Sequence, residues 1–322
     1  MRPIVGRAPR QNRDLAKPFG PTLTPAVTPA VTPDIDTSAT TPPCTVAAVF
    51  VHPIKSCAGI EVDGSLLIET GLEFDRAWMV VDAHGAMLTQ RELPRLVLVQ
   101  PTLRSSDMVL RAPGMLALHV RLDTVEKPTR AQVWDDVVKA YDMGDLAARW
   151  FSDFLGVQAR LVRFDPEEKR LADATWTGDI EAETAFADGY PLLVANTASL
   201  DDLNARLAAR GQAPVTMQRL RPNIVLSGLL AFDEDHIGEV TISTAEGPVV
   251  LRLVKPCARC SIPDVDPLTA EIAHAVGDTL AGYRADARLG GAITFGMNAV
   301  IVSGTDSLLR PGQTAAVGWN FD

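Results

Sequence analysis

The chain has 322 residues, 47% hydrophobic and 22% charged, with a net charge of −10 and a pI near 5.0. That length admits two domains of ordinary size, and the acidic balance argues against a general binder of nucleic acid or of an anionic membrane, although it leaves room for a local basic pocket. Four cysteines (Cys44, Cys57, Cys257, Cys260) are too few for a disulfide scaffold at this length; they read as reduced thiols in a cytoplasmic setting, and no apolar run approaches the roughly 18 residues that a membrane span needs.

Residues 1–43 hold nine of the 23 prolines and a Thr-Pro-Ala-Val tandem over 24–33. Such a segment cannot bury enough apolar surface to offset its ordering entropy, so it reads as a disordered tail. It has no apolar core of a secretory signal, and Arg2, Arg7, Arg10 and Arg13 give it only a faint likeness to an organelle transit peptide. Structure is expected from Cys44, with a buried strand over 46–51. His52-Pro53-Ile54-Lys55-Ser56-Cys57-Ala58-Gly59 then forms a loop carrying a cation and a hydroxyl side by side, with His52 as a lesser candidate at the strand end. Further strands are expected over 65–68, in a hairpin of 77–81 with 86–89, and over 96–100, 108–111, 116–120 and 131–134. This spacing suggests a β-barrel or sandwich-like module.

The pattern turns helical over 145–155, where Leu146, Trp150, Phe151, Phe154 and Leu155 share a face and Gly156 closes the helix. A strand follows over 158–164, and the polar stretch 165–181 is the expected domain boundary, giving domains of 44–165 and 166–322. The second part starts with a strand over 192–196 and a helix over about 199–210, capped by Ser199 and ended by Gly211. Strands are expected over 224–227, in a hairpin of 240–243 with 249–254, and over 299–303, and a helix over 268–274; the acidic run 233–235 reads as a solvated loop.

The second hairpin delivers Lys255-Pro256-Cys257-Ala258-Arg259-Cys260-Ser261-Ile262-Pro263-Asp264. Its prolines predict a stiff loop rather than a helix. A thiol in such a loop, with Lys255 and Arg259 lowering its pKa, suits a soft metal. A zinc site wants four ligands, and neither a second Cys-x-x-Cys nor ligand-like histidine spacing is present. A redox pair should open a helix, and an inert structural pair is also open at this point. Lys55, Ser56, Arg76, Arg221 and Arg259 are candidate anion binders, because each adjoins a proline- or glycine-containing loop at a strand end. Taken singly, each reads as a solvated surface group, and periodicity does not bring them together.

These loops carry a resemblance. The pieces are 52–59, Asp-Arg-Ala-Trp-Met-Val (75–80), Thr-Gln-Arg-Glu-Leu-Pro-Arg-Leu (89–96), Ala-Asp-Gly-Tyr-Pro-Leu-Leu (187–193), 198–204, Arg-Pro-Asn-Ile-Val-Leu-Ser-Gly (221–228), 255–260, Val-Asp-Pro (265–267) and Thr-Phe-Gly-Met-Asn (294–298). In this order they resemble a MOSC protein with its N-terminal β-barrel partner domain, over about 45–318. The chain is similar to bacterial MOSC reductases of N-hydroxylated compounds and to the mitochondrial amidoxime-reducing component. The resemblance implies a mainly β fold with peripheral helices (α+β), an N-terminal β-barrel domain plus a MOSC β-barrel domain, with a molybdenum–molybdopterin cofactor between them. It implies that Cys260 ligates the metal and carries the catalysis. It places Lys55, Ser56, Arg76, Arg221 and Arg259 on the pterin and its phosphate, with Asn223 and Asn298 in matching motifs and Cys257 as an accompanying thiol. It implies an oxidoreductase of N–O bonds, and family-level description adds pyridoxal phosphate binding.

Two departures bear on substrate preference: Ile262-Pro263-Asp264 replaces a more polar run, and Gly189-Tyr190 replaces small hydroxyl residues. The cysteines of a C-terminal iron–sulfur domain are missing before Asp322, so electrons are expected from a separate protein of ferredoxin or flavin-reductase type. The alternatives are a non-catalytic molybdopterin or sulfur carrier and a zinc-stabilised interaction module.

Overall fold

The computed structural model describes residues 43–124 and 127–321. The disordered tail expected at 1–43 lies, but for its last residue, outside them. In chain order the strands are β1 (Thr45–Val51), β2 (Ile60–Val62), β3 (Ser65–Ile68), β4 (Gly71–Leu72), β5 (Trp78–Val81), β6 (Gln100–Leu103), β7 (Asp107–Arg111), β8 (Leu118–Arg121), β9 (Lys127–Val133), β10 (Asp136–Asp142), β11 (Arg160–Phe164), β12 (Leu192–Asn196), β13 (Ile224–Ser227), β14 (Ile237–Ser243), β15 (Pro248–Ala258), β16 (Ala285–Asp286), β17 (Ala292–Ser303), β18 (Leu308–Leu309) and β19 (Ala315–Trp319). The α-helices are α1 (Asp145–Leu155), α2 (Ala174–Thr177), α3 (Thr197–Ala209) and α4 (Ala275–Ala281). The fold is mainly β with peripheral helices, as expected. None of the described helices is long and apolar enough to cross a membrane.

The largest sheet has nine strands in the order β19-β14-β15-β17-β12-β13-β1-β2, with β16 beside β17. The chain's first strand is therefore paired with β13, far along the sequence. Alternate residues supply two faces. Val49, Val194, Ile224 and Leu226 enter one core, while Phe50, Ala195 and Val225 pack on the other face against Leu203 and Leu207 of α3 and Leu280 of α4.

In a four-stranded sheet, β5-β11-β10-β9, the β5-β11 half is buried on both faces, while β9 and β10 turn one face outward. Trp78 and Val80 join the core around Phe151 and Phe154 of α1, and Met79 and Val81 join Phe164 and Phe186. Helix α1 ends at Gly156, whose φ of +74° suits the left-handed cap. Leu146, expected on its buried face, stands exposed on the first turn.

Several expected elements differ. Residues 86–89 form no strand; only an isolated bridge from Val81 to Met87 closes that hairpin. The expected strand 96–100 is a 3-10 turn over Pro94–Leu98, started by a proline that pre-sets φ. The helix expected at 268–274 is absent and α4 begins at Ala275. The Asp266 carboxylate accepts from Leu268 N at 2.8 Å and Thr269 N at 3.1 Å, a local turn that competes with helix.

Helix α3 is capped by Asn196, whose side chain accepts from Ala198 N at 3.2 Å. Ser199 instead turns inward and donates to Glu234 at 2.8 Å. Nor is 233–235 a solvated loop. Glu234 is fully buried, and Asp235 pairs with Arg284 at 2.6 Å. The cysteine stretch is a continuation of β15 as far as Ala258. It accommodates Pro256 between two register shifts, where a ladder donor is not required.

Candidate functional site

Five consecutive strands, β15-β17-β12-β13-β1, meet at one end of the nine-stranded sheet. Antiparallel pairing sets the C-terminal end of β1 beside the N-terminal end of β13, and parallel pairing sets the start of β12 on the same side. Asn298 of β17 lies opposite Leu193 and Lys255. Strand register alone thus draws the loops at 52–59, 187–191, 221–223 and 257–260 together. A cleft opens there, and all eight residues singled out in the sequence line it: Lys55, Ser56, Arg76, Arg221, Asn223, Arg259, Cys260 and Asn298.

The cleft's basic residues are locked in place. Arg76 donates to Asp75, to Asn223 Oδ1 at 3.1 Å and to the Arg221 carbonyl at 3.1 Å. Arg221 donates to the Cys57 carbonyl at 2.7 Å, and Arg259 to the Leu220 carbonyl at 2.9 Å. Asn223 ties three chain segments together, accepting from Leu193 N at 3.0 Å and donating to the Phe50 carbonyl at 3.3 Å. Ser56, Arg76 and Arg221 have φ of +69°, +49° and +55°. A left-handed backbone at three side-chain-bearing residues is strain of the kind that functional sites hold.

Charge is crowded in this end of the molecule. Five cations (Lys55, Arg76, Arg91, Arg221, Arg259) line the cleft, and the carboxylates among them are Asp75 and Asp188. Burial, and next the guanidinium of Arg76, bring Arg221 down to about 10. Burial likewise lowers Lys55, against the opposing pull of Asp188. Cations that depress each other's pKa form a site that is stabilised by an anion. Burial opposes the charge on Asp75, but Arg76 and then the His52 contacts outweigh it and hold the carboxyl well below its usual range. His52 lies outside the cleft lining, buried against Gly59. Burial, then Arg76 and Arg221, push it down to about 3, so its ring is neutral.

The thiols divide. Cys57 is buried and pushed up to about 12 by that burial, which makes it an inert thiol. Arg259 lies 3.1 Å from Cys257 Sγ, not against Cys260, and Arg259 Nε is a buried donor with no partner. Cys260 is exposed to the cleft. Lys255, expected beside the thiols, stands instead 5.2 Å from the Trp176 ring and 5.8 Å from Tyr190. Among the described residues no three or more His, Cys, Asp or Glu gather as a metal site.

Arg91 and Asp188 complete the cleft and were not singled out from sequence. Asp188 receives the Lys55 ammonium, lies 3.5 Å from Arg91, and accepts from the Trp134 indole at 3.3 Å. Crowding in the cleft removes part of its water and opposes its charge, although the side chain is 58% exposed, yet Lys55 and then Arg91 hold the carboxyl well below its usual range. Both residues sit in quoted stretches, 89–96 and 187–193, and a charge beside a Gly-Tyr-Pro turn or a Leu-Pro turn was the available signal.

A family model described as the MOSC N-terminal beta barrel domain matches residues 44–158, and one described as the MOSC domain matches 181–315. The chain is 39% identical over 252 residues to mitochondrial amidoxime reducing component 2 of Rattus norvegicus, covering 74% of this chain and 72% of that protein. It is 34% identical over 253 residues to mitochondrial amidoxime-reducing component 1 of Homo sapiens, with 74% and 72% covered. It is also 31% identical over 246 residues to molybdenum cofactor sulfurase of Homo sapiens, covering 71% of this chain but 27% of that longer protein.

Proposed function

The chain belongs to the MOSC family, with that family's N-terminal β-barrel domain ahead of its MOSC domain, and from that premise we propose that it is a molybdenum-cofactor-dependent reductase of N-hydroxylated compounds. The observation that carries this reading is the convergence of five cations and a single exposed thiol in one cleft. The donor set fits a molybdenum–pterin dithiolene cofactor. A phosphate dianion suits the excess of cations over the two carboxylates, and the partnerless Arg259 Nε–H suits a further acceptor. One protein thiolate suffices when the other sulfurs come from the cofactor, which agrees with the lack of a His/Cys/Asp/Glu cluster among the described residues.

In this reading Cys260 is the metal ligand. Lys55, Ser56, Arg76, Arg221 and Arg259 hold the pterin and its phosphate, with Asn223 and Asn298 beside them. When bound, the cofactor supplies the two-electron chemistry. The chain's own residues bind, orient and fix charge. Arg76 and Arg221 are rigid because each is tied to a backbone carbonyl. In the net reaction a hydroxylamine takes two electrons and two protons to give an amine and water. The electrons come from a separate donor protein.

The test is metal analysis of the purified protein, release and oxidation of its pterin to the fluorescent form, and turnover of an amidoxime with an artificial electron donor. Near-stoichiometric molybdenum, pterin and turnover are expected. Zinc alone, or no metal from a host able to make the cofactor, overturns the reading. The exposed thiol and the likeness to a molybdenum cofactor sulfurase favour one second reading, a carrier of molybdopterin or sulfur. That reading predicts bound cofactor without turnover.

A further inference from the structure

The cofactor-holding cations leave Arg91 without a task. It stands on a tight turn after β5. Its own N–H donates to Thr89 Oγ1 at 3.2 Å, Leu93 N donates to the Thr89 carbonyl at 2.9 Å, and the Thr89 hydroxyl meets Glu92. The side chain has two partners. Its guanidinium carbon lies 4.8 Å from the Trp134 ring centroid, and Nη2 lies 3.5 Å from Asp188 Oδ2. Trp134 is itself tethered, with its indole N–H on Asp188 at 3.3 Å and its carbonyl receiving Gln132 at 3.0 Å.

Arg76, Arg221 and Arg259 each give a donor to a backbone carbonyl, which fixes them deep in the protein. Arg91 is held by a carboxylate edge and an aromatic face, and it lines the same cleft as Cys260. A guanidinium has five donors. Asp188 is the one oxygen partner of this side chain among the described residues. The other donors are left over on a residue that lines the cleft together with Cys260.

We propose that Arg91 is a catalytic residue on the substrate side of Cys260, donating hydrogen bonds to the substrate oxygen as the N–O bond breaks. This rests on the reductase reading above. The bond's electron pair leaves with the oxygen. Two electrons from the separate donor protein and two protons from water complete the change to amine and water. Arginine does not give up its proton at working pH, so Arg91 stabilises the developing charge rather than acting as an acid. A fixed donor aimed at an oxygen that gains charge acts chiefly on kcat. Asp188 and Trp134 are its positioning residues.

The test compares wild type, Arg91→Gln and Arg91→Lys. Molybdenum and pterin content are measured on each preparation, with kcat and KM for an amidoxime and an artificial electron donor. Unchanged cofactor content is expected, with kcat of Arg91→Gln down about 10²–10³-fold, KM moved less than about threefold, and part of the loss recovered in Arg91→Lys. Should the Gln variant not fold, the Lys variant carries the test, with a smaller loss of kcat at full cofactor content expected. A kcat within about threefold of wild type in either folded variant overturns the proposal. So does a fall in molybdenum content that accounts for the lost activity, because Arg91 would then be a cofactor holder. Loaded wild type without turnover overturns the reductase reading and this one with it.

Discussion

Asp75 and Glu234 are both buried carboxyl groups of one sheet-centred fold, and their pKa values are shifted in opposite directions. Asp75, beneath the cleft, faces Arg76 and accepts the His52 backbone N–H at 2.7 Å, so it stays ionised despite its burial. Glu234, beside α3, accepts from the Ser199 hydroxyl on one oxygen, faces no cation, and has a second oxygen without a hydrogen-bond partner. Burial pushes it up to about 7. The difference is one of supplied partners. Where the fold presents a cation and an N–H, it keeps a buried charge that anchors a site residue. Where it presents no cation, the carboxyl holds its proton to a higher pH. Substitutions in the cleft should therefore change chemistry, and substitutions beside α3 should change stability alone.

The sharpest break of this contrast is Cys260→Ser. The thiol is exposed and makes no core contact, so the thermal midpoint of the cofactor-free variant should stay within about 2 °C of cofactor-free wild type. N-reduction should fall by at least about 10³-fold under the proposed ligation, and molybdenum content should fall with it. Full residual activity would remove Cys260 from the site. Asp75→Ala is next and crosses the two categories, because this acid serves the cleft through its charge. It leaves the Arg76 guanidinium and the His52 N–H without their partner, and a broken buried pair costs roughly 3–5 kcal/mol. Denaturant unfolding should show that loss, and metal analysis should show weaker cofactor retention. A variant as stable as wild type would mean that solvent replaces the carboxylate at no cost.

Much of this was legible because it is local. Strands β12 and β13 follow from short apolar runs bounded by turn residues, and α1 follows from its aromatic face with Gly156 behind it. Lys55, Ser56, Arg76, Arg221 and Arg259 could be named from loops at strand ends, and Asn223, Asn298 and the choice of Cys260 came from the family resemblance, but the convergence of the eight could not be read. Convergence depends on β1 pairing with β13 across some 180 residues, and that register leaves no periodic mark within either strand. Arg91 and Asp188 were missed because a charge in a turn looks the same whether solvated or paired. The acid run at 233–235 misled for the converse reason, since burial of Glu234 is decided by Ser199 on a different element. Pro256 suggested a loop where a bulge carries the strand through it.

Glu234 gives the smallest effect and the cleanest sign. In the unfolded chain its carboxyl titrates near 4.3; in the folded protein it titrates at about 7. Below pH about 4 both states are protonated, and the group's contribution to stability is fully present. Between those values the folded state binds more protons than the unfolded one, so stability falls as pH rises. Above about 7 the folded group must also ionise, and the whole contribution, about 3 kcal/mol, has been lost. Asp235 alongside pushes in the same direction. Glu234→Gln keeps an acceptor for Ser199 and removes the titration. The unfolding free energy of the variant relative to wild type should rise by about 3 kcal/mol from pH 4.5 to pH 8, while amidoxime turnover per molybdenum stays the same. Parallel pH curves for the two proteins would place a counter-charge or water at Glu234 and end the contrast with Asp75.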